Sequence, residues 1–452
     1  MKNWLKHPDD INQPLTGAEI TGMTFAGTSL AMLQIVISVF IAYFYTNVVG
    51  ISAAMVGTLL LITRIADAFS DLGMGIIISK TRSQWGQARP WGLRMACPLL
   101  LLVLSIFYIP AHWGMAAKTV YACISYFLLV TVALTPASII GSIIGTNMTV
   151  NPNSRKKNAM ISSLFMIVGS VVGNVAVLQI TQAMGDSYGA WRFVAILFGT
   201  LAFAGQVAQF LLTRERVGNS VLSPNASSKA TVKSQLPALI HNKYFLIMCL
   251  VGMMTALDGA MAGCILYYVK YVLHNMELVS IIGAVTLLSM TAGIALTRVM
   301  EKKIPAKRLI LAGLAVKIIT LAINFFHPAN LPLFLGFAAL RGLMSGPMMV
   351  YSSVYLLNTI EYGEYKTGIR ANHLIVSISS VWTKIGAGLG GALMGWLLNS
   401  GGYDGAARVQ SIAAQNMIVS VYFLIPLVAS VVTFILLSMY DLDRQPARFR
   451  HV

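Results

Sequence analysis

Long apolar runs broken by short polar loops recur along the whole chain. A helix that crosses the hydrocarbon of a bilayer needs about 20 mostly apolar residues. Runs of that length fall near 24–46, 52–79, 92–110, 119–146, 159–181, 190–213, 244–272, 278–299, 306–326, 331–358, 371–398 and 411–440, which predicts twelve transmembrane helices. The longest polar interval, 214–243, contains NSVLSPNASSKATVKSQ. Its Ser, Asn and Lys content suits a flexible linker rather than a domain. Because it lies at the midpoint, it divides the chain into a half at 1–213 and a half at 244–440, followed by a tail at 441–452.

Composition strengthens this picture. Hydrophobic residues make up 57% of the chain and charged residues only 10%, against roughly 25% charged in soluble domains. The formal charge of +17 does not point to nucleic acid, because Lys and Arg gather in alternate loops in the positive-inside pattern. The loops expected inside hold Lys80, Arg82 and Arg89; Arg155, Lys156 and Lys157; Arg214, Arg216, Lys229, Lys233 and Lys243; Arg298, Lys302, Lys303, Lys307 and Arg308; and Lys366 with Arg370. The opposite side shows Lys118, Arg192, Lys270 and Arg408. The expectation is a multi-pass protein of the cytoplasmic (inner) membrane with both termini in the cytoplasm. The N-terminus carries no cleavable-signal pattern, and Cys97, Cys123, Cys249 and Cys264 sit in apolar segments as reduced packing residues.

Charge inside the apolar runs is rare and therefore informative. Of 15 acidic residues, Asp67, Asp71 and Asp258 fall at membrane depth. A charge there is expensive and faces a cavity or ion path rather than lipid. Arg64, Asp67 and Asp71 are spaced i, i+3 and i+7, so they share one helix face. Two readings fit: a cation held between carboxylates, or an ion-pair knot joining two helices. A second polar stripe, His373, Ser377, Ser380 and Lys384, follows helical spacing in the eleventh run, with Trp382 beside it to stack on a sugar ring or simply to pack. Arg341 in the tenth run suits either an anionic substrate or a brace for Asp258, whose other candidate partner is Lys317. Glu361, Glu364, Lys366 and Arg370 flank the membrane surface and suit a cytoplasmic gate of salt bridges. Gly386, Gly390 and Gly391 allow close helix contact in lipid. No GxxxxGK[ST] loop and no catalytic or metal constellation occurs at membrane depth, so an enzyme or a primary pump is not expected, nor any cofactor beyond a coupling ion.

Three segments carry a family resemblance. Residues 43–91 contain YTNVVG, RIADAFSDLGMG and TRSQWGQARP; residues 147–157 read NMTVNPNSRKK; residues 358–396 contain EYGEYKTGIR with a lysine 23 positions after its first Glu. The chain resembles the glycoside–pentoside–hexuronide:cation symporters, the melibiose permease-like branch of the major facilitator superfamily. That resemblance implies an all-α membrane fold of two six-helix halves that alternate access to a central site. It also implies a cation site at Asp67 and Asp71, with Arg64 on the family's second-helix arginine and Lys384 on the lysine between the cation and sugar sites. A threonine of the fourth helix helps hold the cation in the family; Thr131 is the first choice here and Thr135 the second. Ser70 replaces the family's usual Asn, which leaves both Na+ and H+ open. The chain departs from melibiose permease where sugar-binding acids are expected, at Thr28 or Ala31 and at Leu134 or Ala137, and its counterpart of the fifth-helix arginine falls near Ser162.

The sequence therefore predicts a monomeric, cation-coupled symporter for a sugar or glycoside, leaning toward an acidic one such as a hexuronide or sulfonated sugar. The alternatives are a carrier of a non-sugar solute, lipid-like or another organic anion, and a non-transporting receptor on the same scaffold.

Overall fold

A computed structural model describes residues 12–81, 83–110, 112–216, 242–367, 372–407 and 409–442. Its helices are α1 (Gly17–Val48), α2 (Ala53–Lys80), α3 (Arg89–Phe107), α4 (Met115–Asn147), α5 (Pro152–Ala183), α6 (Tyr188–Leu212), α7 (Lys243–Tyr271), α8 (Leu278–Met300), α9 (Ala306–Phe326), α10 (Leu331–Thr367), α11 (Asn372–Ser400) and α12 (Ile412–Ser438). Eleven of them are long and apolar enough to cross a membrane, and α11 completes a set of twelve long helices among the described residues. Each coincides with one apolar run of the sequence. Most of the proposed linker and the end of the tail lie outside the described residues, as does Arg370 of the proposed gate.

Local chemistry sets where these helices begin. Thr16 and Glu19 form a reciprocal capping box at α1. Asn151, Ser187, Asn242 and Ser411 each accept from a first-turn N–H of α5, α6, α7 and α12, satisfying donors that have no intrahelical partner. Several helices depart from α geometry in the middle. α1 and α4 contain π-helical stretches, the latter at Leu129–Leu134. α12 has another at Ser420–Leu424, and α7 tightens to a 3-10 turn at Met261–Cys264. Such local changes of pitch concentrate at functional sites.

The chain forms two compact units. The first holds α1, α2 from Ala66 onward, and α3–α6; the second holds Ser52–Ile65, which is the start of α2, together with α7–α12. The first unit centres on buried aromatics: Phe44 lies 4.9 Å from Phe107 and 5.3 Å from Trp191 between ring centroids. Asp186 ties this cluster down, accepting from Tyr43 Oη at 2.7 Å and Trp191 Nε1 at 2.9 Å. In the second unit Tyr268 stacks on Tyr422 with centroids 4.8 Å apart, beside Phe334 and Phe423.

Small residues set how closely the second unit's helices approach, since van der Waals packing rather than water exclusion draws helices together in lipid. A Cβ on Gly386 would lie 2.1 Å from the Met253 carbonyl oxygen, and one on Gly390 would lie 2.7 Å from the Leu257 carbonyl oxygen, so α11 packs on α7 through these glycines. Gly388, Gly391 and Gly395 of α11 receive the start of α2, where Leu60, Leu61, Arg64 and Gly57 fill the groove. Gly386, Gly390 and Gly391 thus make close contact, but against two different helices.

Candidate functional site

α2 places its polar residues away from its apolar ones. Ile62, Ile65, Phe69 and Ile76 are exposed on one face, with Phe69 at 71%. Asp67 lies on the opposite face and is 1% exposed, while Arg64 and Asp71 are half-buried. The 100° step of an α-helix sorts the sequence this way, because the acids and the exposed apolar residues sit half a turn apart.

The first unit builds an oxygen-rich site around Asp67. Thr135 of α4 donates its hydroxyl to Asp67 Oδ1. Ser70, one turn further along α2, donates to the Thr131 carbonyl at 2.5 Å. Thr131 lies in the π-helical stretch of α4, is buried, and directs its own hydroxyl to the Phe127 carbonyl at 2.6 Å. The threonine whose hydroxyl reaches Asp67 is therefore Thr135, while Thr131 contributes its backbone. The one-turn offset between the two threonines explains why helical spacing alone left the choice open. A buried carboxylate that accepts from a hydroxyl can hold either a proton or a small monovalent cation.

A cavity of about 430 Å³ also lies within the first unit, between α1, α4, α5 and α6. Its lining carries Gln34, Ser138, Ser142, Asn158, Ser162 and Gln209, and no charged residue among the described ones. The buried Oδ1 of Asn158 and Oε1 of Gln209 have no hydrogen-bond partner among the described residues. Ala31 and Ser162, two of the positions where the sequence departs from melibiose permease, both line this space. Amide and hydroxyl groups without charges suit the hydroxyls of a polyol or sugar, and the two open acceptors call for O–H donors.

The other residues singled out from sequence separate in the second unit. Lys384 and Ser380 are half-buried on α11. Trp382 packs against the core formed by Phe245, Cys249 and Ile375, which is the packing alternative for this side chain. Of the two candidate partners, Asp258 takes Lys317, at 2.5 Å. Arg341 lines the cavity that holds this pair, and its guanidinium lies 5.9 Å from the Phe334 ring centroid. Lys366 is exposed at the end of α10, whereas the side chains of Glu361, Glu364, His373 and Ser377 fall outside the described part of the structure.

Two acids that sequence reasoning left unassigned organise the end of the first unit. Glu215, just past α6, is 7% exposed and accepts from the backbone N–H groups of Gln87, Ala88 and Arg89 at 3.0, 2.9 and 2.7 Å, and from Asn147 Nδ2 at 3.2 Å. It thus fills the α3 N-terminus, where backbone donors and the helix dipole favour an anion. Its neighbour Arg216 pairs with Glu19 at 2.7 Å. The turn at Gly86, with φ of 115°, admits the Glu215 side chain where a Cβ would meet it at 2.7 Å. The signals were present as an acid between arginines in TRERV and the Thr16-x-x-Glu19 capping pattern, but only the fold brings them to one place.

Comparison with known proteins agrees with this architecture. A family model described as MFS/sugar transport protein matches residues 22–444. The isoprimeverose transporter of Lactiplantibacillus pentosus is 29% identical over 90% of this chain and 85% of its own length. The glucuronide carrier protein homolog of Escherichia coli is 27% identical over 96% of this chain and 94% of its own. The crystal structure of the nucleoside transporter NupG aligns with a TM-score of 0.66 at 13% identity, covering 94% of this chain and all of that one, a likeness of fold.

Proposed function

The chain belongs to the MFS/sugar transport protein family, and from that premise we propose that it carries a sugar or glycoside across the membrane in symport with Na+ or H+. It is a multi-pass membrane protein; in this reading both termini are cytoplasmic, and the halves at 1–213 and 244–440, joined by the linker at 214–243, rock around a central site. The single observation that carries coupling is the buried Asp67, held by Thr135 and followed one turn later by Asp71 on the same helix face. Ser70, on the next turn of α2, ties that helix to the Thr131 carbonyl of α4. The relatives' names support the substrate class, since one is a transporter of isoprimeverose and another a glucuronide carrier homolog. The uncharged, hydroxyl-lined cavity of the first unit is where sugar hydroxyls would bind. Arg64, Lys384 and Ser380 act in coupling, and no chemical conversion of the solute is involved.

Coupling in such a carrier requires that the cation bind some conformations better than others, because a ligand bound equally in all states shifts nothing. The test is uptake of labelled xylosides and glucuronides into vesicles bearing the purified protein, under an imposed Na+ or proton gradient. Accumulation that collapses when the gradient is dissipated supports symport. Saturable binding with no uptake under any gradient would favour a receptor instead.

A further inference from the structure

The second unit contains a cavity of about 240 Å³ built from α7, α8, α9, α10 and α12. Its lining brings together Asp258, Lys317 and Arg341, with Thr286 and Tyr422 beside them. This inventory is one carboxylate against two cations. Lys317 is committed to Asp258 at 2.5 Å, in a pair whose side chains are 27% and 26% exposed. Arg341 is left as the excess charge. Its Nη1 is buried and has no hydrogen-bond partner among the described residues, and an aromatic ring, Phe334, lies 5.9 Å from the guanidinium.

An unsatisfied guanidinium nitrogen at membrane depth is costly. Proteins retain such groups where a ligand completes them. The guanidinium fork matches the geometry of a carboxylate or sulfonate better than that of a neutral hydroxyl. The surrounding helices are modified locally as well: Tyr422 sits in the π-helical stretch of α12, and the 3-10 turn of α7 begins three residues after Asp258. At about 240 Å³ the space is below the roughly 300–1,000 Å³ typical of drug-sized ligands. It fits one small ring or its acidic end, not a disaccharide.

We propose that this cavity is an anion subsite that seats the carboxylate or sulfonate of an acidic monosaccharide on Arg341, with the Asp258–Lys317 pair setting the local charge. The assignment rests on reading the chain as a sugar carrier and gives sugar acids a site within the second unit, distinct from the first unit's cavity proposed above for uncharged hydroxyls. Asp258 has a moderating role here: its carboxylate neutralises Lys317, so the cavity offers one net positive charge rather than two.

The test is binding of D-glucuronate, D-xylose and inorganic sulfate to the full-length protein in detergent at matched ionic strength, for the parent and for Arg341→Gln, Arg341→Lys and Asp258→Asn. Glucuronate is expected to bind, with Arg341→Gln weakening it at least tenfold and Arg341→Lys by less. Asp258→Asn is expected to act in the opposite direction, strengthening glucuronate binding several-fold. Each variant is compared with the parent in elution volume and thermal midpoint, and Arg341→Lys supplies the comparison if Arg341→Gln does not fold. Glucuronate binding indifferent to both Arg341 substitutions overturns the proposal, as does equal weakening by Asp258→Asn and the Arg341 variants, which marks a structural cluster. Sulfate binding as tight as glucuronate overturns the sugar-acid assignment in favour of an inorganic anion. Cation-driven accumulation of xylose that ignores Arg341, with no glucuronate binding, sinks this inference and leaves symport standing. Arg341-dependent glucuronate binding in a protein that moves no sugar does the reverse.

Discussion

Asp67→Asn separates charge from shape at the proposed cation site. Asn keeps an acceptor oxygen where Thr135 donates to Asp67 Oδ1, so the contact survives and loses only its charge assistance, a cost of about 1 kcal/mol. The protein should remain folded, because Asp67 is 1% exposed and the amide has nearly the same volume. The loss to a bound cation is much larger. Removing one unit charge about 4 Å from a monovalent ion at an effective dielectric of 20 forfeits about 4 kcal/mol, roughly a thousandfold in affinity. The consequence for transport follows from energy conversion. With no membrane potential, one cation moving down a roughly fiftyfold concentration gradient delivers about 2.3 kcal/mol, enough to concentrate a sugar, neutral or acidic, about fiftyfold. Vesicles bearing the parent protein should therefore approach such a ratio per coupled cation, whereas Asp67→Asn should stop at equal concentrations inside and out. Exchange of labelled for unlabelled sugar, which needs no net energy, should persist in the variant. The reasoning is refuted if Asp67→Asn accumulates sugar to the parent's ratio.

Lys384→Ala should lower gradient-driven uptake at least tenfold, about 1.4 kcal/mol in the limiting step; an unchanged initial uptake rate would show that this half-buried lysine takes no part in coupling. Glu215→Ala strands three backbone donors at the α3 N-terminus and the Asn147 amide. It should destabilise the protein by about 3 kcal/mol, seen as a lower thermal midpoint in detergent, whereas Glu215→Gln should recover part of the loss. Gly386→Val brings a Cβ to 2.1 Å from the Met253 carbonyl oxygen. It should cost about 1–3 kcal/mol by forcing α7 and α11 apart. Gly73→Ala, with nothing within 4 Å of the added Cβ, should be neutral or stabilising by up to about 1 kcal/mol, and equal destabilisation by both would contradict the packing described here.

The number and position of the helices were legible in the sequence because the bilayer imposes a length on every apolar run and removes any alternative way to satisfy the backbone. The polar face of α2 was legible for a related reason. At membrane depth a carboxylate cannot face lipid, so the spacing of Asp67 and Asp71 already specified which side turns inward. What the sequence left open were the choices between residues separated by a single turn or by hundreds of positions. Thr131 and Thr135 have the same composition and differ by one turn, and only the placement of α4 against α2 brings the Thr135 hydroxyl to Asp67. Asp258 had two cations within reach on paper, and the fold gave it Lys317 of α9. That choice in turn made Arg341 the surplus charge of its cavity. Glu215 looked like one more charge at the end of a span; it became an anion for the α3 N-terminus because the Gly86 turn admits its side chain. Hydrophobic spacing is a local property, fixed residue by residue against the lipid, whereas ion pairs and cavities depend on which helix faces become neighbours, and that is settled only when the helices pack.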